Sequence, residues 1–307
     1  MSKEPEHFRH TPRPVSVAAL QMACDWDRQG NIERAEALVR QAATRGAQII
    51  LLPELFETPY FCIEQDTRHL ALARPVSENP AVRHFAHLAR ELGVVLPISF
   101  FEHVGQVYFN SIAILDADGT QLGVYRKSHI PNGPGYQEKN YFSPGDTGFR
   151  VWDTRFARIG VGICWDQWFP ETARVMALMG AELLLFPTAI GSEPPPALPV
   201  NSREHWQRIQ QGHAAANLTP LIACNRYGLE RSLQDPQGLY LRFYGSSFIA
   251  DATGAKVAEA PEEGDAVLTH TFDLSEIAQQ RDNWFVFRDR RPDLYGPLTS
   301  LEGTASG

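Results

Sequence analysis

The sequence predicts an α/β fold in which two mixed β-sheets pack face to face between outer layers of helices. Two observations lead to this prediction: strand-like and helix-like segments alternate along the chain, and the same order of segments recurs in its second half. Each sheet of such a chain buries one face against helices and the other against the second sheet. The expected architecture is therefore a four-layer αββα sandwich.

The first half of the chain supplies the alternating pattern. Apolar residues recur at helical spacing after Asn31, the expected N-cap, and Gly46 and Gly93 follow the two expected helices, as helix-ending glycines do. Short runs without polar residues fit strands that are covered on both faces. The expected segments are, in order, a strand at 15–21, a helix at 31–45, a strand at 49–52, a helix at 80–92 and a strand at 94–101.

The second half repeats landmarks of the first. A Gly-Ala pair, a buried strand and a proline occupy 46–53 and again 180–187, while Asp-Ala-x-Gly closes both 111–119 and 246–254. The first of these turns lies between two apolar strands, which is typical of a hairpin. We predict an internal duplication. The alternative is that the two halves agree by chance, because many α/β proteins share these turn and helix-ending residues.

Composition excludes several classes of function. A hydrophobic share of 43% in 307 residues can bury a large core, and a charge of −8 without basic runs argues against a nucleic-acid partner. No apolar stretch approaches the roughly 20 residues that span a bilayer, and the N-terminus lacks the apolar core of a signal peptide. We therefore expect no membrane partner and a cytoplasmic location. Without a linker-like stretch, a single domain is expected over 15–300, with flexible tails at 1–14 and 301–307.

Four cysteines are scattered without the spacing of a zinc site or a redox pair, so no disulfide, metal or organic cofactor is expected. Cys24, Cys62 and Cys224 fit buried thiols in a reducing compartment. Cys164 differs, because a β-branched run ends at it and Pro170 follows where the next helix would begin. Such a turn aims backbone N–H groups at a reacting oxygen, although the same neighbours also fit a packed thiol.

Two charged residues also follow strand-like segments. Glu54 comes directly after the apolar strand at 49–52, and Lys127 ends the second strand of the predicted hairpin. The carboxyl ends of strands are where α/β sheets place their ligands. Each residue alone fits a solvated surface side chain. Together with Cys164, they indicate a cysteine hydrolase.

Three segments of the chain resemble the signature motifs of the nitrilase superfamily of carbon–nitrogen hydrolases, in the family's order. They are Leu52-Pro53-Glu54, the run from Tyr125 to Pro131, and Gly162-Ile163-Cys164-Trp165-Asp166. The resemblance covers about 15–295. It implies the nitrilase-like αββα sandwich, a catalytic triad of Glu54, Lys127 and Cys164, a second catalytic glutamate at Glu138, and assembly into a homo-oligomer.

Simple chemistry supports these roles. A free thiol has a pKa near ~8.5, so a base such as Glu54 is needed to form the thiolate at neutral pH. Lys127 offsets the repulsion between that carboxylate and the thiolate and can bind the oxyanion. The backbone N–H of Trp165 is a second donor to the oxyanion. Glu138 is expected to position Lys127 or the substrate amide. A solvated loop carboxylate is the alternative for Glu138.

The residues around the motifs suggest the substrate. Family members that hydrolyse N-carbamoyl amino acids carry arginine just after the cysteine, where this chain has Gln167 and Trp168. Acidic and aromatic residues instead suit a small cationic ureido substrate, through ion pairing and cation–π attraction. The residues expected to bind it are Trp165, Asp166, Glu193, Tyr60 and Tyr136.

Longer segments resemble the branch of the superfamily that releases putrescine from N-carbamoylputrescine. They are 130–139, 164–171, 187–194, 202–206, 211–217 and 287–295. Asn132 departs from this branch, in which aspartate often stands. If that aspartate helps to bind the ammonium, the preference of this chain for an amine is weaker and depends more on Glu193. The alternatives are a related amidase, nitrilase or ureidopropionase-like hydrolase, or a partner-binding module without catalysis.

Overall fold

The structure is a computed structural model that describes residues 11–192 and 201–304. The strands are β1 (Pro14–Gln21), β2 (Ile49–Leu51), β3 (Leu96–Val104), β4 (Val107–Leu115), β5 (Gln121–Arg126), β6 (Val151–Asp153), β7 (Arg158–Val161), β8 (Leu183–Pro187), β9 (Leu221–Cys224), β10 (Tyr227–Arg231), β11 (Tyr240–Tyr244), β12 (Phe248–Ala250), β13 (Lys256–Glu259) and β14 (Ala266–Asp273). The helices are α1 (Arg28–Thr44), α2 (Pro80–Leu92), α3 (Pro170–Leu178), α4 (Arg203–Asn217) and α5 (Leu274–Trp284).

The strands form two large sheets with the same internal order. In the first sheet, β14-β1-β2 continues into β3-β4-β5 through a parallel bridge between Ile49 and Val95, just before β3. The second sheet runs β6-β7-β8-β9-β12-β13, and β10 and β11 form a separate hairpin. In each sheet an edge strand is followed by three neighbours in chain order and then a hairpin. This common order is what the predicted duplication requires.

The apolar side chains separate into layers, which confirms the sandwich. Along β1, Ala18 and Leu20 pack with α1 and α2 on the outer face, whereas Val17 and Ala19 face the second sheet. Residues of β7, β8 and β9 join this inner layer, and α3 and α4 cover the outer face of the second sheet. The alternation along a strand is what a sheet buried on both faces requires.

Two matching glycines close corresponding hairpins in the two halves of the chain. Gly119 and Gly254 have φ values of 83° and 87°, a left-handed conformation that glycine adopts without strain. A Cβ on Gly119 would lie 2.5 Å from the carbonyl oxygen of Ala86 in α2, and one on Gly254 would lie 2.5 Å from that of Gln211 in α4. Both turns therefore tuck under an outer helix at points that admit no side chain.

The structure corrects the expected start of α1. Asp27 is the N-cap, and its side chain accepts a hydrogen bond from the Gly30 N–H. Asn31 lies inside the helix, where its Nδ2 donates to the carbonyl oxygens of Asp25 and Glu57 at 2.6 and 3.0 Å. Asn31 therefore serves a tertiary contact rather than a cap, and the helix begins at Arg28.

The aromatic stretch Trp284-Phe285-Val286-Phe287 near the C-terminus forms no strand. Helix α5 ends at Trp284, and Phe285 takes a left-handed conformation. Trp284 is 66% exposed and Phe285 is 45% exposed. Of the predicted tails, residues 1–10 and 305–307 lie outside the described residues. Among the helices that are described, none has the length and apolar character needed to cross a membrane.

Candidate active site

Three segments that follow strands bring their functional side chains together. Glu54 follows β2, Lys127 follows β5, and Cys164 begins a short 3₁₀ turn after β7. The Nζ of Lys127 donates to Oε1 of Glu54 at 2.9 Å, and both side chains are 0% exposed. The first two members of the expected triad therefore form a buried ion pair.

Lys127 is also bonded to the second glutamate. Its Nζ lies 2.9 and 2.7 Å from Oε1 and Oε2 of Glu138, which is equally buried. The hydroxyl of Tyr60 donates to Oε1 of Glu138 at 2.7 Å. One ammonium thus holds two carboxylates, an arrangement in which burial is tolerated only because the charges are paired.

The buried charges shift one another's pKa. Burial alone would lower the pKa of Lys127, but Glu138 and Glu54 raise it well above its ordinary value, so the ammonium persists at neutral pH. Burial raises the pKa of Glu138 to about 7; Lys127 opposes this rise and Glu54 adds to it. Glu138 therefore titrates near neutral pH.

Glu54 keeps one oxygen available. Its Oε1 accepts from Asn110 Nδ2 at 2.7 Å as well as from Lys127. Its Oε2 is buried and has no hydrogen-bond partner within the described part of the chain. A buried carboxylate oxygen without a partner is costly, so such atoms are few and call for an explanation. Oε2 of Glu54 is free to accept a proton.

Cys164 occupies a strained backbone position. Its φ of 43° is unusual for a residue other than glycine, and its Sγ lies 3.7 Å from the carbonyl oxygen of Ala189. Burial and then Glu54 raise the pKa of the thiol well above its ordinary value, against the opposing effect of Lys127. The resting sulfur is therefore protonated and needs a base before it can attack.

A cavity of about 230 Å³ leads from Cys164 to the surface. Trp165, which is 39% exposed, stands at its edge, and the Trp165 N–H donates to no acceptor in the described ranges. The cavity is lined by Pro131, Asn132, Gly133, Pro134, Tyr136, Cys164, Trp165, Trp168, Ala189, Ile190 and Ser202. A small molecule in this cavity would meet the sulfur at its inner end.

Similarity to known proteins identifies the family to which this site belongs. Residues 16–282 match the family model of carbon-nitrogen hydrolases. The chain belongs to the carbon-nitrogen hydrolase family. Its curated relatives include N-carbamoylputrescine amidase from Arabidopsis thaliana, 55% identical over 95% of this chain and 97% of the relative. They also include citrullinase from Francisella tularensis, 54% identical over 92% of this chain and 98% of the relative.

Solved structures agree with the family. A carbon-nitrogen hydrolase from Helicobacter pylori G27 superposes with a TM-score of 0.88 and 37% identity, covering 94% of this chain and 99% of that one. The family and the nitrilase-like fold predicted from the sequence are thus confirmed, and the chain is an amidohydrolase.

In this carbon-nitrogen hydrolase the predicted site residues fall into two groups. Glu54, Lys127 and Glu138 form the buried cluster, and Cys164 lies close enough for Glu54 and Lys127 to shift the pKa of its thiol. The residues expected at the substrate divide further. Tyr136 and Trp165 line the cavity. Tyr60 lies deeper, bonded to Glu138, with its ring 5.8 Å from that of Tyr136.

One of the two acidic residues expected to bind the substrate lies away from the cavity. The structure does not place Asp166 on the cavity, because its carboxylate is fully buried and accepts hydrogen bonds from protein groups on both oxygens. Glu193 lies outside the described residues and stays a prediction. Gln167 is also turned away, accepting hydrogen bonds from Trp206 and Gln210 of α4.

Sequence reasoning missed a buried arginine that holds the Glu54 turn. Arg226 donates to the carbonyl oxygens of Glu54, Leu55 and Thr58 at 2.7, 3.0 and 3.1 Å and pairs with Glu230 at 2.9 Å. Arg226 is the second residue after β9, and Lys127 is the first after β5, so a charge just behind an apolar strand was an available signal. Asn110 lies within β4 and carries no such signal.

Proposed function

We propose that this carbon-nitrogen hydrolase converts N-carbamoylputrescine into putrescine, carbon dioxide and ammonia. The observation that carries the chemistry is one buried ammonium, Lys127, bonded to Glu54 and Glu138 beside a thiol that lines the cavity. The substrate is supported by full-length likeness to N-carbamoylputrescine amidase from Arabidopsis thaliana, at 55% identity.

The first half of the reaction forms a covalent intermediate. Oε2 of Glu54 takes the proton of Cys164, and the thiolate attacks the ureido carbon. The developing oxyanion is stabilised by Lys127 and by the Trp165 N–H. Glu54 then returns the proton to the terminal nitrogen, the carbon–nitrogen bond breaks and ammonia leaves. The sulfur now carries the N-substituted carbamoyl group as a thioester.

The second half releases the product. Glu54 takes a proton from a water molecule, which attacks the thioester carbon, and the same oxyanion donors serve again. The carbon–sulfur bond breaks and the thiolate regains its proton from Glu54. The released N-substituted carbamate decomposes to carbon dioxide and putrescine. The thiol and its neighbours supply every step.

The cavity favours a substrate without a carboxylate. Its described lining includes no lysine or arginine, while Tyr136, Trp165 and Trp168 offer aromatic rings to a cationic tail. A carboxylate left unpaired in such a site costs at least about 3 kcal/mol, which is more than 100-fold in affinity. Citrulline carries that carboxylate. Likeness to the citrullinase from Francisella tularensis makes citrulline the second candidate.

Ammonia release from N-carbamoylputrescine, citrulline, N-carbamoyl-β-alanine and a simple aliphatic nitrile separates these candidates. We expect kcat/KM for N-carbamoylputrescine to exceed each of the others by at least about 100-fold, because only this substrate places a cation and no carboxylate in the aromatic cavity. A higher kcat/KM for citrulline would assign the second candidate instead. A preference for the nitrile would remove the ureido substrate altogether.

The titration of Glu138 predicts how kcat/KM depends on pH. With its pKa raised to about 7 by burial, Glu138 is ionised above neutral pH and gains a proton below it. Protonation removes the Glu138 charge that balances and orients Lys127, so the ammonium is held less firmly where the oxyanion forms. We therefore expect kcat/KM to fall as the pH drops through about 7. In Glu138→Gln, kcat/KM should be lower at every pH, and its fall at acid pH (the acid limb) should be absent.

Tyr60 supplies a matched test of that limb. Its hydroxyl lowers the pKa of Glu138 by donating to the ionised form, although burial dominates and keeps that pKa raised. Tyr60→Phe should therefore move the acid limb to higher pH without abolishing activity. A limb that stays in place in both Tyr60→Phe and Glu138→Gln would show that another group titrates.

We also propose that the enzyme is a cytoplasmic homo-oligomer. The four cysteines are all free, which fits a reducing compartment. Leu178 of α3 and Phe285 after α5 line one surface groove, and both are more than a third exposed. Met179 and Trp284 are exposed beside them in the chain. Exposed apolar side chains beside the charged Arg281, Asp282 and Arg288 of the same groove suit an interface with a second copy of the chain, and light scattering measures the mass in solution.

A further inference from the structure

The Asp166 carboxylate accepts four hydrogen bonds next to the nucleophile. Its Oδ1 accepts from the N–H of His129 at 3.0 Å and lies 2.8 Å from the Nδ1 of that ring, which donates because a carboxylate only accepts. Its Oδ2 accepts from the hydroxyl of Tyr125 at 2.7 Å and from the N–H of Ile163 at 2.9 Å. Asp166 is fully buried, and the chemistry described above does not use it.

Three of these bonds connect two catalytic segments, and the fourth, from Ile163, lies within the turn that holds Asp166 and Cys164. Tyr125 and His129 stand two residues before and two residues after Lys127, and Ile163 directly precedes Cys164. The ammonium and the sulfur come from different sheets, so nothing in the chain's connectivity fixes their separation. Asp166 is a direct polar link between the two segments.

Asp166 also closes the strained turn. The left-handed φ of 43° at Cys164 costs about 1–3 kcal/mol and persists only where the surroundings hold it. The Asp166 N–H donates to the carbonyl oxygen of Ile163 at 3.0 Å, while the Asp166 side chain accepts from the Ile163 N–H. The residue on one side of Cys164 is thereby bound through both of its backbone groups.

We propose that Asp166 is a positioning residue that holds the Lys127 ammonium and the Cys164 sulfur at a fixed separation for attack and for oxyanion binding. This inference rests on the roles of Lys127 and Cys164 in the proposed function. It replaces the expectation that Asp166 binds the amine of the substrate, since Asp166 does not line the cavity. The ring of His129 stacks on Phe169 at 3.7 Å and so braces the link from outside.

Two substitutions test the link, and a third controls for stability. Asp166→Asn replaces one accepting oxygen by an NH2 group, which cannot accept from the donors that surround it. The two catalytic segments should then shift relative to each other, and a displacement of about 1 Å is expected to lower kcat about 100-fold. Tyr125→Phe removes the bond to Asp166 together with the contacts of the hydroxyl with the Oγ and N–H of Ser128, and should lower kcat about tenfold. In both, KM should stay within about threefold of the wild type. Tyr141→Phe is the control: its buried hydroxyl accepts from the Asp66 N–H and donates to the Glu64 carbonyl oxygen, away from the link.

The assays use whichever ureido or amide substrate the wild type turns over best. If Asp166→Asn raises KM for the cationic substrate and leaves kcat unchanged, Asp166 binds the substrate and the proposal is overturned. Equal kcat losses in Tyr125→Phe and Tyr141→Phe would overturn it as well, since they would report stability alone. If Asp166→Asn does not fold, Tyr125→Phe against Tyr141→Phe decides.

A second readout separates this proposal from the proposed function. If the wild type turns over none of the substrates, the proposed function fails while the link can still be measured. Peptide mapping then gives the rate at which iodoacetamide alkylates Cys164, which should fall about tenfold in Tyr125→Phe because a displaced Lys127 no longer favours the thiolate. An unchanged alkylation rate would contradict the positioning role.

Discussion

Replacing Cys164 with alanine is expected to abolish turnover while leaving the fold and the cavity in place. The sulfur is the protein nucleophile that opens the proposed reaction, and losing the nucleophile of such a set lowers kcat by on the order of 10⁴-fold or more. Cys164 is buried at the inner end of the cavity, so the smaller side chain makes room rather than blocking the substrate. Calorimetry should therefore still detect binding of N-carbamoylputrescine by Cys164→Ala.

Cys24→Ala is the matched control for this loss. Cys24 is also a buried free thiol, and burial raises its pKa to about 12, but it packs in the core between the first sheet and its helices. Its replacement should lower the melting temperature without changing kcat. A Cys164→Ala variant that retains turnover would show that another group performs the attack.

Replacing Glu54 with glutamine should have the second largest effect. The substitution keeps the size of the side chain but removes the base that acts in both halves of the reaction, and general acid–base catalysis is worth about 10²–10⁴-fold. Because Glu54 serves in each half, we expect a loss of kcat near the upper end of that range. Higher pH should not restore the rate, since an amide gains no basicity.

Glu57→Gln tests whether the loss belongs to Glu54 or to its turn. Glu57 is a buried carboxylate three residues further along, and it pairs with Arg28 and Asn79 instead of Lys127. Its replacement should weaken the turn and leave the proton-transfer chemistry intact. Similar kcat values for Glu54→Gln and Glu57→Gln would contradict the assignment of the base.

Local patterns in the sequence were sufficient where the chain's own geometry decides the outcome. Helix α2 begins at Pro80 and ends before Gly93, and the hairpin around Gly119 follows its turn residues. The same holds for Glu54 and Lys127, because a charged residue directly after an apolar strand is carried to the end of its sheet. Strand position therefore located the catalytic cluster.

Partners chosen across the sandwich were not predictable in the same way. The sequence indicated that Asp166 lies near the nucleophile, but not that its carboxylate turns inward to Tyr125 and His129 rather than outward to the cavity. Tyr60 was likewise expected at the substrate and instead bonds Glu138. The direction of a side chain depends on donors that strands distant in the chain bring to it, and periodicity carries no information about them.

The covalent intermediate is the most direct test of the account. Wild-type enzyme is mixed with N-carbamoylputrescine, quenched in acid during turnover and analysed by peptide mass spectrometry. An adduct with the mass of the substrate less ammonia, located on the peptide that contains Cys164, is the predicted result. Turnover that proceeds with no adduct on Cys164, or with an adduct on another residue, would contradict the proposed mechanism.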